Sequence, residues 1–138
     1  MKIAIINGPN LNLIGTRETD IYGGETFEDY FNKLRKKYER IDFDYFQSNV
    51  EGELVNEIQK AAKNMNGIIL NAGAYTHTSI AIGDAVAAIK IPVVEVHISN
   101  IEAREEFRKY SHISAKCAGT IFGFGLKGYE LAVQSFLI

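Results

Sequence analysis

The 138-residue sequence has one cysteine, two prolines and no tryptophan. A lone Cys117 cannot close an internal disulfide, which excludes a disulfide-stapled scaffold and points to a reducing, cytoplasmic setting. Cys117 opens an apolar run at 117–122, so it reads as a buried thiol rather than a nucleophile. Long hydrophobic stretches are also missing. The longest segment without Asp, Glu, Lys or Arg, residues 64–83, still carries Asn64, Asn66, Asn71, Thr76 and His77, so it is no membrane span. The N-terminus has four apolar residues in a row, too few for a signal-peptide core. Fifteen basic residues against seventeen acidic ones give a net charge of −2, without the basic excess that nucleic acid or a membrane surface would ask for. What is present is ordinary globular usage, 46% hydrophobic and 23% charged, with eight Phe and seven Tyr to fill a core. Residues 1–138 are expected to form a single domain.

Short β-rich runs alternate with amphipathic helical segments along the whole chain. Strands are expected at 3–7, 41–47, 67–71, 92–98 and 119–124, and helices at 26–38, 53–63, 79–89, 103–110 and 129–137. Thr26-x-x-Asp29 resembles a capping box, and Phe27, Tyr30, Phe31, Leu34 and Tyr38 keep the spacing of one helix face. The 67–71 run is continuously apolar up to Asn71, as in a strand covered on both faces. This alternation predicts an α/β fold, a three-layer α/β/α domain with a five-stranded parallel sheet in the flavodoxin-like order 2-1-3-4-5. In such sheets ligands sit beyond the carboxyl ends of the strands where the order reverses, here between strands one and three. The loops to read are therefore 8–25, 72–78 and 99–108.

Two familiar motifs fail. Gly123-x-Gly125-x-x-Gly128 follows a strand but leaves only ten residues for the second strand and acidic residue of a dinucleotide fingerprint, so it reads as a tight turn. The three histidines, His77, His97 and His112, lack metal-ligand spacing, so no metal is expected.

Other segments carry more. The 8–25 loop is eighteen residues long, well above the ~2–6 usual for such connections. Gly15 and Gly23-Gly24 could hinge it as a lid around Arg17 and Tyr22, where a guanidinium would favour tyrosinate; an ordinary surface Arg and packing Tyr is the bland alternative. In Val94-Glu95-Val96-His97-Ile98-Ser99, strand alternation puts Glu95 and His97 on one face, ~6.6 Å apart along the strand, as either a structural pair or a carboxylate-supported acid–base histidine. Asn71 and His77, with the N–H groups opening helix three, suit a polyhydroxylated anion. Arg104 and Arg108 lie four apart on the expected 103–110 helix; Arg104 reads as a surface neighbour, while Arg108 is open to an anion.

Taken together these segments resemble the type II 3-dehydroquinate dehydratases (type II dehydroquinases) along essentially the whole chain. The resemblance rests on N-G-P-N-L-N-L-I-G-T-R-E at 7–18 followed by Tyr22-Gly23, on N-A-G-A-Y-T-H-T-S at 71–79 and on V-E-V-H-I-S-N-I-E-A-R-E-E-F-R at 94–108. Glu102 and Lys109-Tyr110 depart from positions where many relatives carry His or basic pairs. The resemblance implies anti elimination of water from 3-dehydroquinate to 3-dehydroshikimate through an enolate, in the shikimate pathway of aromatic amino acid biosynthesis, without Schiff base, metal or cofactor. It implies Tyr22 as the base, Arg17 beside it, Asn10 positioning a water at the enolate oxygen, and His97 held by Glu95 as the acid. It also implies Asn71, His77 and Arg108 at the ring hydroxyls, Ile98 and Ser99 at the carboxylate, and Asp84 reaching in from a neighbouring subunit of a dodecamer of four trimers. The competing readings are a flavodoxin-like flavin or phosphate module, or another small lyase on the same fold. A phosphate-receiver reading would need acidic residues where 7–10 reads Asn-Gly-Pro-Asn.

Overall fold

A computed structural model describes residues 1–16 and 24–138. Five strands, β1 (Lys2–Asn7), β2 (Asp42–Gln47), β3 (Gly67–Asn71), β4 (Val93–His97) and β5 (Gly119–Phe122), form one sheet in the order β2-β1-β3-β4-β5, all neighbours parallel. Among the described residues three α-helices connect strands, α1 (Phe27–Lys37), α2 (Glu51–Asn64) and α3 (Ile80–Ala88), and a fourth, α4 (Lys127–Ser135), follows β5. The expected architecture and strand order are those observed, which gives the flavodoxin-like three-layer arrangement.

Side-chain alternation divides the core. Ile3, Ile5, Ile69, Val94 and Val96 face α1 and α4, where Phe27, Phe31, Leu34, Tyr129 and Val133 meet them. Ala4, Ile6, Ile68, Leu70 and Val93 face α2 and α3 and pack on Leu54, Ile58, Ile82 and Val86. β1 and β3 are buried on both faces at almost every position, the pattern of central parallel strands. α1 starts where the sequence indicates: the Thr26 side chain accepts the Asp29 N–H at 3.2 Å. Arg35, Lys36 and Lys37 end that helix, opposing the negative end of its dipole. Among the described residues no helix is long and apolar enough to cross a membrane.

One expected helix needs correction. The 103–110 helix does not form: short 3-10 turns at Ile101–Ala103 and Glu106–Lys109 flank an extended Arg104 (φ −109°, ψ −161°) and Glu105. Asn100 caps the first turn by accepting the Glu102 N–H, and the extended pair stops it from continuing. Helix three starts where the sequence indicates: after a 3-10 turn at Gly73–His77, Ser79 caps α3 by accepting the Ile82 N–H.

Candidate active site

The carboxyl ends of β1 and β3 carry Asn7 and Asn71 side by side, in register. A single buried phenol joins them: the Tyr129 hydroxyl donates to Asn7 Oδ1 at 2.8 Å and accepts from Asn71 Nδ2 at 2.8 Å. Asn71 Oδ1 accepts the Gly73 N–H at 3.1 Å, so both ends of its amide are oriented. Gly8 donates its N–H to the Asn71 carbonyl at 2.7 Å. A Cβ at Gly8 would lie 2.5 Å from the Ala72 carbonyl oxygen, so only glycine lets these two loops approach this closely. The first loop then turns through Asn10 at φ +68°, a left-handed conformation that Asn tolerates, and the Asn10 N–H is held by Asn49 Oδ1 at 3.0 Å.

From β4, Glu95 and His97 point to the same side of the sheet and touch: His97 Nε2 lies 2.5 Å from Glu95 Oε2. A carboxylate can only accept, so Nε2 carries the hydrogen and Nδ1 is the nitrogen left for chemistry. Glu95 is fully buried. It is also hydrogen-bonded by Thr76 and Ser111 at Oε2 and by Ser114 and Thr120 at Oε1. Burial alone would raise its pKa, but the hydrogen bonds and charge of His97, with Ser114 and Thr76, outweigh it and hold the carboxyl below its ordinary value. His77 stacks 6.3 Å from His97, and its Nδ1 donates to the Tyr110 carbonyl at 2.7 Å. Burial, aided by His97 and Arg108, lowers the His77 pKa, so its Nε2 is a lone-pair acceptor.

The broken segment after β4 brings both arginines to the site's rim. Arg104 Nη1 donates to Ser99 Oγ at 3.2 Å. Arg108 pairs with Glu105 at 3.0 Å and lies over the Phe107 ring. The cavity between these elements has a volume of about 130 Å³ and is lined by Asn10, Asn71, His77, His97, Ile98, Ser99, Arg104 and Arg108, among others. The structure therefore brings together seven residues given a site role from the sequence (these eight without Arg104), with Glu95 directly behind His97. Arg104 was expected to be a surface neighbour; it lines the cavity instead, because its extended backbone turns the guanidinium back toward Ser99. The expected helix-end N–H groups are not part of the lining, since α3 starts beyond it. Asp84 does not join this chain's cavity: it sits exposed on α3, 3.8 Å from Lys116. Arg17 and Tyr22 lie outside the described residues.

Sequence reading missed the hydroxyls around Glu95 and the Tyr129 bridge. Register offers one signal in retrospect, since Thr120 is the β5 partner of Glu95. Cys117 behaves as expected of a structural thiol: burial pushes its pKa up to about 12, and its Sγ rests 3.5 Å from the Ile113 carbonyl. Gly123 and Gly125 take positive φ in the turn after β5, where the Gly125 N–H donates to the Ile98 carbonyl at 2.9 Å. Among the described residues, no three His, Cys, Asp or Glu side chains are grouped to share a metal ion.

Comparison with known proteins agrees with this geometry. The family model described as "Dehydroquinase class II" matches residues 1–137. The chain is 56% identical over 138 residues to the 3-dehydroquinate dehydratase of Fusobacterium nucleatum subsp. nucleatum, covering 96% of this chain and 94% of that one. It is 52% identical over 139 residues to the protein of that name from Prochlorococcus marinus (strain MIT 9301), covering 99% and 95%. The crystal structure of the type II dehydroquinase from Butyrivibrio crossotus superimposes with a TM-score of 0.96 at 47% identity, covering 100% of this chain and 98% of that one. With its sheet order, its Glu95–His97 pair and these likenesses across its whole length, the chain belongs to the dehydroquinase class II family.

Proposed function

We propose that this chain dehydrates 3-dehydroquinate to 3-dehydroshikimate by an anti elimination through an enolate. The observation that carries the reading is the Glu95–His97 pair, set at the wall of a polar cavity beside Asn71, His77 and two arginines. A β-hydroxy ketone needs a base at its α-carbon and an acid at its departing hydroxyl. Tyr22, as tyrosinate beside Arg17, takes the α-proton, and the C–H electrons move into the carbonyl to give an enolate. The enolate collapses to a C=C bond as the C–O bond breaks, and the hydroxyl leaves as water with a proton from His97 Nδ1. Glu95, accepting the Nε2 hydrogen, balances the positive charge of the imidazolium that donates. Asn10 orients a water at the enolate oxygen. His77 Nε2, Asn71 and Arg108 hold ring hydroxyls, and Ile98 and Ser99 hold the carboxylate, with Arg104 supporting Ser99 through its hydrogen bond. No step needs an imine. A homo-oligomer, a dodecamer of four trimers, completes the reading, with Asp84 serving a neighbour's site.

Incubating the chain with 3-dehydroquinate and following the ultraviolet absorbance of the conjugated enone tests this directly. The enone is expected to appear and to be lost in His97→Ala by at least ~10²-fold, and borohydride added with substrate is expected to leave the enzyme covalently unmodified. Folded protein that forms no enone, or that borohydride traps as a covalent adduct, overturns the reading.

A further inference from the structure

Glu95 is fully buried, and among the described residues no guanidinium or ammonium forms an ion pair with it. Among the described residues its one ion pair is with His97. Other titratable groups near enough to influence it are His77, on the Gly73–His77 turn, and Cys117, just past a 3-10 turn at Ser114–Lys116. A carboxylate in such a place is costly unless its oxygens are solvated by fixed donors. Here the donors are four neutral hydroxyls from three separate parts of the chain. Thr76 Oγ1 lies 2.5 Å from Oε2, Ser114 Oγ lies 2.5 Å from Oε1, and Thr120 Oγ1 lies 3.5 Å from Oε1. Ser111 stands behind them, 2.7 Å from Thr76 Oγ1 and 3.3 Å from Oε2.

The direction of the hydrogens on the Oε2 side is fixed by counting. Ser111 Oγ accepts the N–H groups of Ile113 and Ser114, each at 3.0 Å, which fills its two lone pairs and leaves it only a hydrogen to give. Its nearer acceptor is Thr76 Oγ1, so Thr76 in turn gives its hydrogen to Oε2. The chain runs from backbone N–H through Ser111 and Thr76 to Glu95 without an orientation that would accept a proton from Oε2. Such aligned donors polarise one another. A guanidinium in their place would cancel the carboxylate's charge, whereas dipoles solvate the charge and leave its field acting on His97.

We propose that Thr76, Ser111, Ser114 and Thr120 are positioning residues, a hydroxyl cage that keeps Glu95 ionised and in one orientation so that it holds the His97 Nε2–H and frees Nδ1 for proton delivery. This rests on the dehydratase reading above for its catalytic consequence, and on the geometry alone for the state of Glu95.

The test uses the full chain with Thr76→Val, which removes the hydroxyl and keeps the shape, with Ser114→Ala at a half-exposed position, and with Ser114→Thr, which keeps a hydroxyl. The titration of Glu95 is followed by NMR of the ¹³C-labelled carboxyl, and kcat and KM are followed against pH. The folded carboxyl titrates below its ordinary value, so activity is present above that midpoint and lost as pH falls through it. Removing a donor raises the midpoint, and the loss comes at higher pH. In Thr76→Val and Ser114→Ala the Glu95 midpoint is expected to move upward. On the acid limb kcat is expected to fall about tenfold against the wild-type chain, the effect of one hydrogen bond to a charged group, while KM at neutral pH changes less than about twofold. Ser114→Thr is expected to restore both. An unmoved Glu95 midpoint in folded Ser114→Ala and Thr76→Val overturns the cage. Should the wild-type chain form no enone, the dehydratase reading fails, and the NMR midpoint still decides the cage: upward movement supports it, and no movement overturns it.

Discussion

Tyr129 reaches from the last helix to the far side of the sheet's switch point, where its hydroxyl both gives a hydrogen to Asn7 and takes one from Asn71. Burial raises its pKa far above the ordinary phenol range, so it stays a neutral donor and acceptor at any working pH. Its ring also packs edge-on against Phe27, which fixes where the hydroxyl can be. Tyr129→Phe keeps that packing and removes only the bridge, leaving a buried carbonyl and a buried amide hydrogen without a partner. The expected cost is about 1–3 kcal/mol, read as a lower urea midpoint at an unchanged slope. Because Asn71 loses one of its two tethers, KM for 3-dehydroquinate is expected to rise more than kcat falls. A midpoint equal to that of the wild-type chain would show that the bridge adds nothing to stability.

At the scale of elements, α3 and the 111–116 segment meet at Gly83. A Cβ there would lie 2.5 Å from the His112 carbonyl oxygen, and that backbone is pinned by the His112 N–H to the Thr76 carbonyl at 2.8 Å. Alanine improves helix propensity by about 1 kcal/mol, but forcing this contact apart costs about 1–3 kcal/mol. Gly83→Ala is therefore expected to be net destabilising by thermal unfolding, and to lower kcat as well, because Ser111 and Ser114 ride on the displaced segment. A raised melting temperature with full kcat would count against this packing. The same scale shows what was legible in the sequence. β3 is found with the bounds its apolar run indicates, and the α1 start follows from Thr26 and Asp29, since both signals are local. Glu95 and His97 were readable as a pair because strand alternation is a two-residue rule. The 103–110 helix was not, because the contacts that break it, Asn100 to the Glu102 N–H and Arg104 to Ser99, are side-chain bonds that helical spacing does not encode. Nor was the hydroxyl cage: Thr76, Ser111, Ser114 and Thr120 share no spacing and meet only through the sheet order.

At the scale of the whole molecule, large apolar side chains stand exposed on elements near the site. Ile80, Phe107 and Tyr110 are 61%, 57% and 62% exposed. They lie on α3 and at the Glu106–Lys109 turn and its end, elements that each pack against the Gly73–His77 turn whose His77 lines the cavity. Contiguous exposed apolar surface is a mark of an interface. Asp84 stands on the same helix as Ile80, exposed and outside its own chain's cavity, 3.8 Å from Lys116, and in the proposed assembly it would serve a neighbour's site. Sedimentation is expected to give an assembly of many copies rather than a single chain, and Asp84→Ala is expected to lower kcat/KM although Asp84 lines nothing in its own subunit. Complementation makes the assignment specific. Coexpressed Asp84→Ala and His97→Ala chains place an intact His97 next to a neighbour with an intact Asp84, so the mixture should regain activity that neither variant has alone. A fully active single chain, or a mixture no better than its parts, would return Asp84 to the role its Lys116 contact suggests, that of an ordinary surface charge.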